Sequence, residues 1–375
     1  MSGKPILRIE HFFVGLEMRA IVVNPPEKGF EVKDVQIQEK GVKIKILENG
    51  ICGTDREIVN GQLSTAAGPS GYNFMALGHE AIGEVMEGSG DFRKGDIVMP
   101  VNRRGCGKCL NCLIGRPDFC ETGEFIEAGI NGMHGFMREY IYDSPEFLVH
   151  VPSDIRGIAI MAQPLSDLEK SLEEILSVQG RLYWKCRDAT YGCRHALVVG
   201  TGAIGILFAL LLRSRGFMVT ISNRRDPTQV EARIFQEAGI SFFNSSKGYS
   251  ELGTGNAFDL VVEASGSDAS ILPTLLQLLK NNAVLGLFGF MRSGSAILSN
   301  TDIQNLVYKS ISVVGLINGQ KPHFEAAMRD LVQWKHVWPG IIESMITRGT
   351  VQEVEQNGNI LLNKQPDEIK MKIIW

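Results

Sequence analysis

The chain has 375 residues, of which 44% are hydrophobic and 21% charged, and its formal net charge is −4. That length accommodates two domains of ordinary size, each able to bury a core. The composition excludes a disordered chain, the charge gives no reason to expect nucleic acid or an anionic membrane as partner, and no apolar run approaches the roughly 20 residues that cross a bilayer.

The opening stretch, MSGKPILRIEHFFVGLE, has a short apolar patch with no small-residue cleavage site behind it, so no signal peptide is expected. Met18 opens the first strand-like run, MRAIVV, which leaves residues 1–17 as an appendage of open role. GVKIKILENG then puts Val42, Ile44 and Ile46 on one face, as a half-buried strand does. EAIGEVMEGSG and KGDIVMPVN repeat the style, with turns expected at Gly88, Gly90 and Gly95. A twisted antiparallel barrel or sheet is the reading for the first 150 residues.

Two groups of metal-ligand type lie in this part. ICGTD carries Cys52, and LGHEAIGEV carries His79 and Glu80, 27 residues further on, so only folding can join them. A lone histidine is more often a satisfied core or surface residue. His79 stands above that because Glu80 adjoins it and Cys52 sits in a polar, turn-like setting. A catalytic zinc needs such mixed ligands and an exchangeable position. The second group is RGCGKCLNCLIGRPDFC, where Cys106, Cys109, Cys112 and Cys120 are spaced C-x2-C-x2-C-x7-C. Four thiolates in one loop close a tetrahedral shell around zinc and leave no place for water, which clamps the loop without doing chemistry. The rival is a zinc ribbon that binds nucleic acid, but Arg103, Arg104, Lys108 and Arg116 are a modest basic supply for it. The chain has seven cysteines and no export signal, which favours metal-binding thiolates over a disulfide scaffold.

Near residue 165 the texture changes. SDLEKSLEEILSVQ opens with a Ser/Asp cap signal and continues with Leu168, Leu172, Ile175 and Leu176 at helical spacing. Apolar strands then alternate with helical stretches: HALVVG, GILFALLLRSRG, MVTISN, TQVEARIFQEAG, FDLVVEA, AVLGLFGF and SISVVGL. That alternation predicts a parallel sheet covered on both faces, an α/β fold. The last fifty residues are mixed and are expected to rejoin the first part.

VVGTGAIG places Gly200, Gly202 and Gly205 in G-x-G-x-x-G spacing around Thr201, Ala203 and Ile204, after an apolar strand and at the start of an apolar helix. In that context the glycines provide a tight turn, backbone approach to a pyrophosphate and close helix–strand packing. A structural glycine turn in another α/β fold is the alternative. At the end of the next strand, where an acidic residue would bind the adenosine ribose, the chain has Asn223, Arg224 and Arg225. Guanidinium forks suit a 2′-phosphate, so NADP is expected, with NAD also accepted; two solvated surface arginines are the plainer reading. Ser265 in EASG and Phe288 in GLFGF close later strands, where the nicotinamide end is expected.

CGTD, GHEAIGEV, the four-cysteine lobe and VVGTGAIG, in that order, resemble the zinc-dependent medium-chain alcohol dehydrogenases. Within that superfamily, PVNRRGCGKCLNCLIGRPDFCETGEF, AQPLSDLEKS, SNRRDPT and NGQKPHF resemble the archaeal-type glucose 1-dehydrogenases. The resemblance implies a GroES-like catalytic domain at 1–188 and 321–375 and a Rossmann domain at 189–320. It implies two zinc ions per subunit, with Cys52, His79 and Glu80 as catalytic ligands and Gln163 in or beside that shell. Thr54 matches the hydroxyl that relays the substrate proton, and Asp55 matches a residue that orients His79. Asn102, Glu127, Asp167 and His323 match sugar contacts, and Asn318 falls where cofactor and substrate regions meet. The implied reaction is oxidation of glucose, with galactose a further candidate, at C1 to the lactone, in sugar catabolism of Entner–Doudoroff type. A cytoplasmic homotetramer is implied. A polyol, other aldose or threonine dehydrogenase is the nearest alternative, and a non-catalytic NADP-binding sensor a remoter one. Cys186 and Cys193 receive no role and default to buried thiols.

Overall fold

A computed structural model describes residues 17–252, 257–365 and 367–375, and the statements below concern those residues. The expected appendage lies outside them up to residue 16.

The first alternating run forms β1 (Val42–Ile51), with Val42, Ile44 and Ile46 buried together. A two-turn helix, α1 (Gly53–Val59), follows directly. The strands β2 (Ala81–Glu87), β3 (Ile97–Pro100), β4 (Tyr140–Asp143) and β5 (Leu148–His150) build on β1. Gly90 and Gly95 in the β2–β3 connection have φ of 63° and 91°, which turns of that hand require.

The long helix α2 (Ala162–Gln179) starts earlier than its expected cap. Ser166 and Asp167 lie inside it and Met161 is its N-cap, because a tight turn at Ala159–Met161 runs straight into the helix. Then come β6 (His195–Val199), α3 (Ala203–Ser214), β7 (Met218–Asn223), α4 (Gln229–Ala238), β8 (Ser241–Asn244), β9 (Phe258–Glu263), β10 (Leu279–Leu287) and β11 (Ser312–Gly315). They form a six-stranded sheet in the order β8-β7-β6-β9-β10-β11, with every pairing parallel. All six residues of β9 are buried, as a strand covered on both faces demands. In α4, Thr228 and Glu231 form a reciprocal capping box and Gly239 closes the helix at φ 64°.

The chain then returns through α5 (Lys321–Val337), β12 (Ile346–Thr350) and β13 (Lys370–Ile374). β13 pairs antiparallel with β1, from Met371 opposite Ile51 to Ile374 opposite Glu48. The result is a seven-stranded sheet ordered β5-β3-β2-β1-β13-β12, with β4 also on β1. One apolar core runs from Ile82, Met99 and Val149 of this sheet through Leu165 and Leu168 of α2 and Leu210 of α3 to Val198 and Val262 of the parallel sheet. The two sheets therefore share packing rather than hang on a linker. No helix among the described residues is long and apolar enough to cross a membrane.

One cysteine expectation is corrected. Cys186 and Cys193 form a disulfide in the loop between α2 and β6, where a turn held by Ala189 N–H on Cys186 O (3.0 Å) and Cys186 N–H on Thr190 O (2.8 Å) brings them together. They are not buried thiols: Cys193 is exposed and Cys186 half-buried. The other five cysteines are free.

Where α2, α3 and α5 meet, Arg215 Nη2 lies 2.9 Å from Glu169 Oε1 and 2.9 Å from Asp330 Oδ2. Burial and the neighbouring Asp330 push the Glu169 carboxyl up to about 8, despite Arg215. The folded state thus holds this proton more tightly than the unfolded chain, whose glutamate titrates near about 4.3. The associated stability is complete below that value and is lost as pH rises through about 8. Glu169→Gln, which keeps a donor without the charge, is expected to flatten the decline of melting temperature between acid and pH 9, as thermal unfolding at a series of pH values will read; an unchanged slope counts against the shared proton.

Candidate active site

Antiparallel pairing closes the gap between Cys52 and His79. β1 and β2 pair through Asn49 opposite Ala81, and Gly50 N–H donates to Glu80 O at 3.2 Å, which brings the end of β1 against the start of β2. Cys52, the N-cap of α1, then faces His79 and Glu80, and one ligand atom from each falls within 4.8 Å of the others. Asp55 completes the geometry from the third position of α1. Its Oδ2 accepts from Cys52 N–H at 2.7 Å and its Oδ1 meets His79 Nδ1 at 3.2 Å, which turns Nε2 toward the cluster. Burial pushes the His79 pKa down, but the charge and hydrogen bond of Asp55, with Cys52, hold it well above its usual value. A ring in so negative a setting, with its free nitrogen beside a thiol and a carboxylate, fits a zinc ion in place of that proton.

Lys370, which the sequence reading missed, lies beside Glu80. β13 carries it past the end of β1, buried, with Nζ 2.5 Å from Glu80 Oε1. Its run, IKMKII, alternates like a strand with a wet face. Instead both lysines are buried and each meets a glutamate, Lys372 reaching Glu48 at 2.6 Å. Gly50 leaves the room this needs, since a Cβ there would stand 1.9 Å from Glu80 Oε2.

Around this centre, Thr54 Oγ1 lies 3.9 Å from Cys52 Sγ on the first turn of α1. Gln163 Nε2 donates to Asp167 Oδ2 at 3.3 Å from one turn back on α2, and Gly319 N–H donates to Asp167 Oδ1 at 2.6 Å. Burial pushes Asp167 up to about 6, against the pull of Gly319 and His79, so it lies within electrical reach of the cluster. Glu127 is also raised by burial, while Arg103, 3.5 Å away, and His79 oppose the shift. Asn102 is buried, and its carbonyl accepts from Ala128 N–H beside Glu127. His323 is committed elsewhere. Its Nδ1 accepts from Gln320 N–H and its Nε2 faces Glu173 Oε2, both at 3.0 Å, so the ring caps α5 instead of pointing at the cluster.

At the end of β6, Gly200 adopts φ 110°, and a Cβ at Gly205 would stand 2.0 Å from Gly200 O, so the glycine turn and the close start of α3 depend on each other. Gly202 caps α3 with no side-chain hydrogen bond to its first turn, and a Cβ added there would meet nothing within 4 Å. Thr201 is buried at the turn, and Ala203 and Ile204 carry α3 away from it. Unshared N–H groups and open space at a helix N-terminus fit a pyrophosphate. Asn223 Nδ2 bonds Thr201 Oγ1 at 2.6 Å, and Arg224 is exposed at the same edge. Arg225 is less free than expected, since it forms a two-pronged pair with Glu231 at 2.6 and 2.8 Å. Ser265 bonds Glu263 at the end of β9, and Phe288 N–H donates to Glu263 O from the end of β10. Asn318 sits in the left-handed region at φ 58° with its Nδ2 buried and unpartnered, a donor open to a ligand.

In the cysteine lobe, Cys106 Sγ and Cys112 Sγ stand 3.8 Å apart, the edge of a tetrahedron with zinc–sulfur bonds of about 2.3 Å. A hydrogen bond from Thr122 lowers Cys106 to about 6, whereas burial pushes Cys112 up to about 12, so no common ionisation occurs without a cation to share. Cys109 and Cys120 complete the group. The basic residues of this region face carboxylates: Arg103 meets Glu127, Arg104 meets Asp143, Lys108 meets Glu124, and Arg116 meets Asp118 and Glu173. A nucleic-acid face is not formed.

Comparison with known proteins agrees with this geometry. Residues 38–153 match the alcohol dehydrogenase GroES-like domain, and residues 157–373 match the glucose dehydrogenase C-terminus. Glucose 1-dehydrogenase 1 of Picrophilus torridus is 55% identical over 359 residues, which is 96% of this chain and 100% of that protein. Glucose 1-dehydrogenase 2 of Caldivirga maquilingensis is 54% identical, with the same 96% and 100% coverage. The Haloferax mediterranei glucose dehydrogenase solved with NADP, zinc and gluconolactone superposes with a TM-score of 0.82 at 26% identity, covering 96% of this chain and 99% of that one.

Removing the ammonium of Lys370 leaves the buried Glu80 charge without its partner, which costs about 3 kcal/mol or more. Lys370→Met is therefore expected to melt several degrees below wild type in the metal-free form and to regain more than wild type when zinc is added. Calorimetry with and without zinc checks this, and an equal zinc response in both proteins contradicts it.

Proposed function

The chain belongs to the zinc-dependent medium-chain alcohol dehydrogenases of glucose dehydrogenase type, and from that premise we propose how its residues oxidise D-glucose at C1 to the aldonolactone. The observation that carries the reading is the meeting of Cys52, His79 and Glu80 within 4.8 Å, in a chain that also presents an uncapped glycine-turn helix for a nucleotide. Bound in these sites, zinc supplies Lewis acidity that makes the anomeric hydroxyl more acidic, and NADP, or NAD in its place, accepts the hydride.

The protein's part is to hold, orient and move a proton. Thr54, beside Cys52, relays the proton of the C1 hydroxyl, accepting it as its own hydroxyl proton passes on to water, and Asp55 keeps the His79 ring turned to the cluster. Asn102, Glu127, Gln163 and Asp167 bind sugar hydroxyls, and the two half-buried carboxylates among them offer acceptor oxygens that burial makes more basic than usual. A site built to bond hydroxyls rejects a sugar that lacks one by a large factor. Asn318 offers its free amide where cofactor and sugar meet. Gly200 to Gly205 carry the pyrophosphate, Asn223 and Arg224 the ribose 2′-phosphate, and Ser265 and Phe288 border the nicotinamide. Arg225 reaches the phosphate only by sharing itself with Glu231. Galactose is a further substrate on this reading, and Cys106, Cys109, Cys112 and Cys120 hold the second zinc.

We divide the chain at 188/189 and 320/321, in the disulfide loop and at the N-cap of α5. A homotetramer fits the surface. β11 is a sheet edge with Val313 exposed, and Val307 and Tyr308 stand exposed on the helix before it, while the cysteine lobe exposes Leu110, Leu113 and Ile114. Cytoplasmic residence fits the five free cysteines.

Steady-state rates for glucose, galactose, xylose, sorbitol and threonine with each cofactor test the substrate; no turnover of glucose sinks it. On the same enzyme, Cys52→Ser should abolish turnover yet leave NADP affinity within about twofold, because the nucleotide is held by the other sheet. Arg224→Ala should raise the KM for NADP about tenfold with little effect on NAD, the difference expected for one lost charged contact to the 2′-phosphate.

A further inference from the structure

His323 and Glu173 lie outside the cluster, yet they join three separate pieces of chain around it. Glu173 projects from the middle of α2. Arg116 of the cysteine lobe approaches its Oε1 at 2.9 Å, and His323 of α5 approaches its Oε2 at 3.0 Å. Since His323 Nδ1 accepts from Gln320 N–H, the ring proton sits on Nε2 and is donated to Glu173. Gln320 is the N-cap of α5, and the residue before it, Gly319, donates its N–H to Asp167. Gly319 lies so close to α2 that a Cβ would stand 2.7 Å from the backbone of Ser166, so the 319–320 turn rests directly on the helix that carries Asp167.

We propose that His323, steered by Glu173, is a positioning residue for sugar binding: it fixes the Gly319–Gln320 turn whose N–H orients Asp167. The inference rests on the reading of Asp167 as a sugar contact. His323 is 6% exposed, so its bond to Gln320 is sheltered, whereas the Glu173 side chain is 47% exposed and its pair with Arg116 adds little stability. What Glu173 supplies is the direction of the ring. A ring free to rotate loses the cap on Gln320 N–H, the turn loosens, and the carboxylate that meets the hydroxyl loses its alignment. Asp167 holds the sugar and does not touch the reacting bond, so its misalignment is read first in the glucose KM.

The test uses the full-length, zinc-loaded enzyme with glucose and NADP varied separately. His323→Ala is expected to raise the glucose KM about tenfold, with kcat and the NADP KM within about threefold and metal content unchanged. His323→Asn places an amide oxygen where Nδ1 stood and should restore most of the glucose KM. His323→Gln, which keeps a donor toward Glu173 without the cap, should not. Glu173→Ala should give a smaller rise. If His323→Ala lowers the melting temperature but leaves the glucose KM unmoved, or if Gln rescues as well as Asn, the positioning role is wrong. Asp167→Asn separates the two levels: a raised KM there beside a silent His323→Ala overturns only the positioning, whereas a silent Asp167→Asn overturns the sugar contact beneath it.

Discussion

Cys52, Asp55, Glu80 and Asp167 crowd four acidic groups around one imidazole and one ammonium, with Asp55, Glu80, His79 and Lys370 buried. Charge removed from water must be compensated nearby or neutralised. The folded chain does both: Lys370 sits against Glu80, and the charge and hydrogen bond of Asp55 raise the affinity of His79 for protons well above that of a free imidazole. A divalent cation in the cluster replaces those protons with a charge that does not dissociate at neutral pH. The same excess of acid that makes the metal-free pocket awkward is what draws a cation in, so the requirement for stability and the requirement for metal binding coincide.

That pocket depends on backbone pairing more than on any one side chain. The β1–β2 ladder brings positions 52, 79 and 80 together, and the β1–β13 ladder adds Lys370 from nearly 300 residues later in the chain. β1 lies between the two, so a slip of one residue on either side would turn a ligand or its counter-charge to the opposite face. Gly50, in the middle of this arrangement, leaves the space that the Glu80 carboxylate fills. The cysteine lobe serves a different need. Its four sulfurs close on themselves, and its link to the site runs through Arg116 and Glu173.

Local pattern was legible in the sequence because periodicity and ligand spacing are local. Val42, Ile44 and Ile46 marked their strand, TQVEARIFQEAG marked a helix, and the C-x2-C-x2-C-x7-C run marked its own metal group. What escaped were long-range partnerships. Lys370 looked like the wet face of an edge because its carboxylate lies 290 positions away. His323 looked like a ligand-facing histidine because its commitment to Glu173 depends on α5 crossing α2. Arg225 was read as a phosphate-binding fork, and its pairing with Glu231, which also closes the capping box of α4, was not foreseen. The cap of α2 was misplaced because the turn at Ala159–Met161 removes the need for one. The bridge between Cys186 and Cys193 was passed over because the absence of an export signal was allowed to outweigh a seven-residue separation well suited to a turn.

α2 unites the two halves of the site. Its first turns carry Gln163 and Asp167 to the metal cluster, its middle carries Glu169 to Arg215 at the end of α3, and its apolar stripe lies in the core shared by both sheets. α3 begins at the glycine turn where the nucleotide phosphates are expected, so the helix that carries Gln163 and Asp167 is packed against the helix that opens at that turn. Hydride transfer is steep in distance, and a cleft whose two walls drifted independently would spend little time in a reactive geometry. A continuous core beneath the cleft restrains that drift at its base.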